Sequence, residues 1–263
     1  MAGRTPDGET LTGGTFVGPT GQVLFFQTLY ATSRRGSIRG QLQLGLGPLD
    51  DTRDNTLTST GLDWVRPANL AAVSGTASTR TYRAGFGLPG TPVLTPVELK
   101  AFGGRYVAPT TLLKISGAPA AKPTPTTANA EVVFTQGGLA SNFPSGTGAS
   151  RVPDLNVAVT ATNTTVVVGD NPAKTSITPN SRTGAISGRF SLSDANVRTA
   201  PPRTPDLILR AVSFQGVIVP NNEDDTHEGV GYFILPQLPT VDNATLVTTT
   251  PILSGKMIFR KLP

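Results

Sequence analysis

Gly40-Gln41-Leu42-Gln43-Leu44 and Gly231-Tyr232-Phe233-Ile234-Leu235 lie far apart in one chain, yet each opens on glycine and runs on as an apolar strand. In the first, apolar and amide side chains alternate with period two. Leu42 and Leu44 therefore point to one face, and Gln41 and Gln43 to the other. Val212 and Phe214, in Ala211-Val212-Ser213-Phe214-Gln215-Gly216-Val217, follow the same rule. These are strands with one buried face.

Working outward, three further marks recur in the same order around the two stretches. Leu11-Thr12-Gly13 with Phe16 is answered by Ile186-Ser187-Gly188 with Phe190. Val23-Leu24-Phe25-Phe26-Gln27-Thr28-Leu29 is answered by residues 211–217, which share its Phe-Gln step. Leu57 to Gly61 with Trp64 and Arg66 is answered by Ile252 to Gly255 with Phe259 and Lys261. The shared order predicts an internal duplication, with Pro201-Pro202-Arg203-Thr204-Pro205 lengthening a hairpin of the second copy.

The 263 residues suffice for one large core or two small ones. Gly 29 and Pro 23 are too many for long helices, because each interrupts the helical ladder or adds backbone entropy cost. The fold class expected is all-β: two related antiparallel β-barrel or β-sandwich halves joined by a Pro/Ala/Thr-rich linker. The first module is placed at 1–116, the linker at 117–129 and the second module at 130–263. One barrel closed by both halves is the alternative. A single helical turn is allowed at Ala68 to Val73, which lacks a good cap.

Charged residues are 15% of the chain, and the net charge of +5 comes mainly from 16 Arg against 6 Lys. The excess is small and scattered, with Arg34, Arg35 and Arg39 as its one local cluster, so no nucleic-acid partner is expected. Cysteine is absent, which removes disulfides, thiolate metal sites and a Cys nucleophile. No apolar leader follows Met1 and no run approaches a membrane helix. The abrupt polar start is read as that of a fragment of a longer protein.

Candidate chemistry is thin, and no enzyme is expected. His227 is the one histidine, so no site with two His ligands exists, and no G-x-S-x-G elbow precedes it. It is placed in an acidic hairpin loop with Glu223, Asp224, Asp225 and Glu228. These four carboxylates are the candidate calcium ligands, although their spacing matches no EF-hand. Asp50, Asp51 and Asp54 form a second acidic loop in which Arg53 favours a local salt bridge. Phosphate-cradling glycine motifs are absent. Among the aromatics, Trp64 and Tyr232 are expected in the core. Tyr82 and Tyr106, beside Arg83 and Arg105, are the candidate carbohydrate-binding residues, because sugars stack on half-wet rings.

The runs Asn180-Ser181-Arg182-Thr183-Gly184-Ala185-Ile186-Ser187-Gly188-Arg189-Phe190, Val212 to Val217, Gly229 to Pro239 and Ser254-Gly255-Lys256-Met257 carry a resemblance. They resemble the C-terminal β-rich module of very large secreted or surface repeat proteins of verrucomicrobial and planctomycete-type bacteria. Phe16-Val17-Gly18-Pro19 and Leu62-Asp63-Trp64-Val65-Arg66-Pro67 are similar to the module that precedes it. The resemblance implies a secreted or cell-surface setting, neighbouring repeats or other surface components as partners, and no catalytic residues. The expected function is a non-enzymatic structural or adhesive module. The alternatives are a carbohydrate-binding module with a polysaccharide partner and a β-rich virion or tail protein.

Overall fold

The computed structural model describes residues 2–30, 36–45, 56–69, 77–108, 127–139, 153–195, 207–220, 227–239 and 246–262. The chain is all-β, with two compact units, Met1–Arg105 and Tyr106–Pro263. Residues 117–126 of the expected linker lie outside the described residues. Its last residue, Asn129, belongs to the second unit, where its side chain bonds both the N–H and the carbonyl of Val159.

In the first unit, β1 (Ala2–Arg4) and β2 (Thr10–Thr12) form a hairpin. Then β3 (Gln22–Leu29), β4 (Gly36–Leu44) and β5 (Leu57–Val65) form an antiparallel meander. Residues 70–73 of the expected helical turn lie outside the described residues; the one helical turn among the described residues is α1 (Ala77–Arg80). Two short strands, β6 (Val97–Leu99) and β7 (Phe102–Gly103), both pair with β5. The core is Val23, Phe25 and Leu29 of β3, Ile38 and Leu42 of β4, Leu62 and Trp64 of β5, and Phe86. Between Gln41 and Leu42 the register with β5 slips, from Gly61 to Ser59. This bulge reverses the facing of β5, so Leu57 and Trp64 both serve the core despite unlike parity.

The second unit is a nearly closed barrel of eight antiparallel strands. They are β8 (Ala130–Gln136), β9 (Leu155–Val159), β10 (Thr165–Val168), β11 (Ser176–Pro179), β12 (Ala185–Ala195), β13 (Leu207–Pro220), β14 (His227–Pro236) and β15 (Ile252–Lys261). Each pairs with its sequence neighbour except across one seam, between β10 and β11, and β15 returns to pair with β8. The Thr165 hydroxyl spans that seam and donates to the Ile177 carbonyl at 2.5 Å. The barrel is thus made by the second unit's strands alone, not by both halves.

Its interior is filled by side chains. Phe134, Phe190, Phe214 and Phe233 pack ring on ring, with centroids 4.9 to 6.5 Å apart, and Phe259 and Met257 complete the filling. Such bulk fits because the ladder sets large residues against glycine: Phe214 faces Gly188, Phe233 faces Gly255, Met257 faces Gly231 and Phe259 faces Gly229. The outward positions of the same strands carry Arg189, Gln215, Lys256 and Arg260. Among the described residues no helix is long and apolar enough to cross a membrane.

Three of the four recurring marks occupy β3-β4-β5 and β13-β14-β15, consecutive antiparallel strands in both units, while the remaining one falls on β2 and the segment after it in the first unit and on β12 in the second. Two marks keep the same facing: Leu42 and Phe233 point inward, as do Trp64 and Phe259. Two do not. Phe26 and Phe16 are exposed where Phe214 and Phe190 are buried. A one-residue change of phase moves a side chain to the other face of a strand. Tyr232, expected in the core, also points outward, between Gln215 and Lys256.

Candidate functional site

The densest group of functional side chains in the first unit is built on a turn. Thr5-Pro6-Asp7-Gly8-Glu9 closes with the Gly8 N–H donating to the Thr5 carbonyl at 2.8 Å and the Thr5 N–H to the Glu9 carbonyl at 2.9 Å. This turns the Asp7 carboxylate inward, where it is fully buried. Asp7 accepts from the Thr5 hydroxyl, from the Tyr30 hydroxyl at 2.8 Å and from the Arg66 guanidinium. Arg66 is itself buried, lies 4.5 Å from the Tyr30 ring centroid, and donates from Nε to the Tyr82 carbonyl at 3.1 Å. Trp64 Nε1 donates to the Tyr30 hydroxyl at 3.1 Å. Burial, and then the neighbouring Asp7 charge, hold the Tyr30 phenol above its ordinary range, so it stays a donor. A buried charge pair survives only when its remaining polar atoms are satisfied, and this network does that.

Tyr82 stands at the edge of this network. It has a positive φ of 48°, and its ring packs at right angles to Trp64 and Phe86, with centroids 5.6 and 6.0 Å away. It is 37% exposed. Beside it, burial and then the like charge of Arg83 lower the Arg80 pKa.

Tyr106 is placed differently. It belongs to the second unit, packs against the barrel core over Gly184, and donates its hydroxyl to the Ser181 carbonyl at 2.5 Å. Burial raises the phenol's pKa. Its ring lies over the β11–β12 turn at one end of the barrel. The two tyrosines selected as carbohydrate ligands therefore sit in different units. Inside the barrel, Arg210 and Asp194 form a buried ion pair of 2.7 Å, and Arg210 also donates to the Pro236 carbonyl at 2.7 Å.

Of the proposed calcium ligands, Glu223, Asp224 and Asp225 lie outside the described residues, as do Asp50, Asp51 and Asp54. Glu228 and His227 are not in a loop: they open β14, opposite Val219 and Pro220. A cleft of about 290 Å³ lies elsewhere, lined by Glu131, Asp154, Asn156 and Asp170. There the Phe134 N–H donates to Asp154 at 2.7 Å, and Arg260 pairs with Glu131 at 2.7 Å. Burial, followed by the Glu131 charge, raises the Asp154 pKa against the pull of that hydrogen bond. Among the described residues no group of three His, Cys, Asp or Glu side chains is placed to hold a metal.

Nothing local in the sequence marks Asp7 and Tyr30 as members of this network. Pro6-Asp7-Gly8 has the composition of a solvated turn, and Arg66, its buried partner, is 59 residues away. Compared with family models, curated proteins and solved structures, the chain matches none.

Proposed function

We propose that the chain is a non-enzymatic structural or adhesive module of an exported bacterial surface or matrix protein. The observation that carries this reading is the filled barrel. Eight strands leave an interior just wide enough either for side chains or for one small ligand. Here Phe134, Phe190, Phe214, Phe233, Met257 and Phe259 occupy that space. The buried ion pairs Asp7–Arg66 and Asp194–Arg210 are likewise engaged in holding the units together internally. Such a body acts through its outer surface. The resemblance to secreted repeat-protein modules supports the same reading, with neighbouring repeats as partners.

One observation favours a second reading, a carbohydrate-binding module: Tyr82 is half-exposed on a rigid aromatic base of Trp64 and Phe86. Thermal melts of the purified chain against bacterial and algal polysaccharides, with calcium and then chelator, separate the two. A ligand that binds only the folded state raises Tm. The structural reading expects no saturable rise. A rise with one glycan, lost in Tyr82→Ala, replaces it with the binding module.

A further inference from the structure

Among the described residues the second unit buries its phenylalanine rings, whereas the first leaves several uncovered. Phe16 is 94% exposed, Leu24 72% and Phe26 70%. They are neighbours. Val17 bridges Val23 in antiparallel fashion, which sets Phe16 opposite Leu24, and Phe26 follows two residues along on the same face. The other face of β3 is Val23 and Phe25, both in the core. Val23-Leu24-Phe25-Phe26 is thus a continuous apolar run, the pattern of a strand covered on both faces. At usual side-chain areas the three residues present on the order of 400 Å² of apolar surface, the size at which a patch marks an interaction site.

We infer that this outer face of β3 is a self-association surface, where Phe16, Leu24 and Phe26 pack against the same face of a second copy of the chain. The inference rests on the structural reading above and names its partner. The charges beside the patch select a second copy. On the same face Phe26 is followed across the sheet by Arg39, then Asp63, then Glu98. Arg39 and Asp63 are only loosely paired, 3.8 Å apart with side chains 61% and 49% exposed. A surface with an apolar centre and adjacent charges of both signs complements itself under a two-fold axis, where the Arg39 of each copy meets the partner's acidic groups. The apolar patch supplies about half of the ~800 Å² that each side of a standard interface buries, and this polar rim supplies more.

Association is by the face rather than the strand edge. The Leu24 carbonyl accepts from the Thr15 hydroxyl, the Thr28 carbonyl from the Gln27 amide, and the Tyr30 N–H donates to Glu9. These contacts blunt the edge against strand addition.

Sedimentation velocity and light scattering of the full chain over a wide concentration range test this. The mass is expected to rise to twice that of one chain. Leu24→Ser with Phe26→Ser raises the dissociation constant at least about tenfold, as loss of central apolar anchors does. Circular dichroism stays unchanged, and so does the Tm measured at concentrations where both chains are monomeric, because neither side chain touches the core. Asp63→Arg weakens the dimer, and adding Arg39→Asp restores it. A chain that keeps monomer mass throughout, or a dimer indifferent to L24S/F26S, overturns the inference. Neither result bears on the structural reading, which the glycan melts test separately.

Discussion

Phe214 stands directly opposite Gly188 on the β12–β13 ladder, and its ring fills the space that a side chain at 188 would need. A Cβ on Gly188 falls onto that ring and onto the Ser176 carbonyl oxygen. The glycine is there for its volume, since the barrel interior holds four packed phenylalanine rings.

Gly188→Ala is therefore expected to destabilise the barrel by about 1–3 kcal/mol, the usual penalty for overpacking. Phe214→Ala creates a cavity instead and destabilises by about 3–5 kcal/mol. Ser187→Ala, an exposed neighbour, changes stability by less than about 0.5 kcal/mol. Urea unfolding followed by circular dichroism measures all three. A neutral Gly188→Ala would mean that Phe214 has room to move aside.

Where apolar and polar residues alternate strictly, the fold was legible. Leu42, Val212 and Phe214 are buried as their spacing requires. Where two apolar residues adjoin, alternation stops deciding the face. Phe25 and Phe26 read alike, yet one is in the core and the other in solvent. Tyr232, Phe233 and Ile234 posed the same ambiguity. Barrel closure was also hidden. The β8–β15 pairing joins Ala130 to Lys261, and local pattern carries no information about a partner so distant in the chain. For the candidate site, the aromatic character of Tyr82 was readable, but the anchoring of its neighbour Arg66 by Asp7 was not. Burial of an aspartate in a Pro-Asp-Gly turn depends on a tertiary partner.

That partnership makes a strong prediction for the first unit. Asp7→Ala leaves the Arg66 guanidinium buried without its carboxylate and is expected to destabilise by about 3–5 kcal/mol. Removing both charges, with Asp7→Leu and Arg66→Met, recovers much of that loss, because no unpaired charge remains. A double-mutant cycle on urea unfolding measures the coupling. Additive effects would show that the two groups act independently despite their contact.

Tyr106→Ala should open the end of the barrel that the ring covers. The amides nearest that end are those of Gly184, which bonds to Asn180, and Ile218, which bonds to the Gly184 carbonyl. Both are expected to lose hydrogen-exchange protection, while Tyr106→Phe keeps most of it by retaining the ring. Unchanged protection in Tyr106→Ala would show that the ring is an ornament on a barrel closed without it.

Asp154 gives the barrel a pH dependence whose sign can be worked out. Its carboxyl pKa is raised in the folded state, first by burial and then by Glu131. The folded chain therefore holds that proton more tightly than the unfolded chain does. Below the ordinary carboxylate range both states are protonated, and the group's contribution to stability is fully present. As pH rises through the ordinary value and then the raised one, that contribution is lost. Asp154→Asn removes the titration while its side-chain oxygen remains able to accept from the Phe134 N–H. The variant should be more stable than the natural chain at neutral pH, and the advantage should vanish in acid. The difference will be small, because the carboxyl is only part-buried and water screens its charge. Urea midpoints over a pH series decide it: a variant less stable at neutral pH would mean that the ionised carboxylate's bond to Phe134 outweighs its burial.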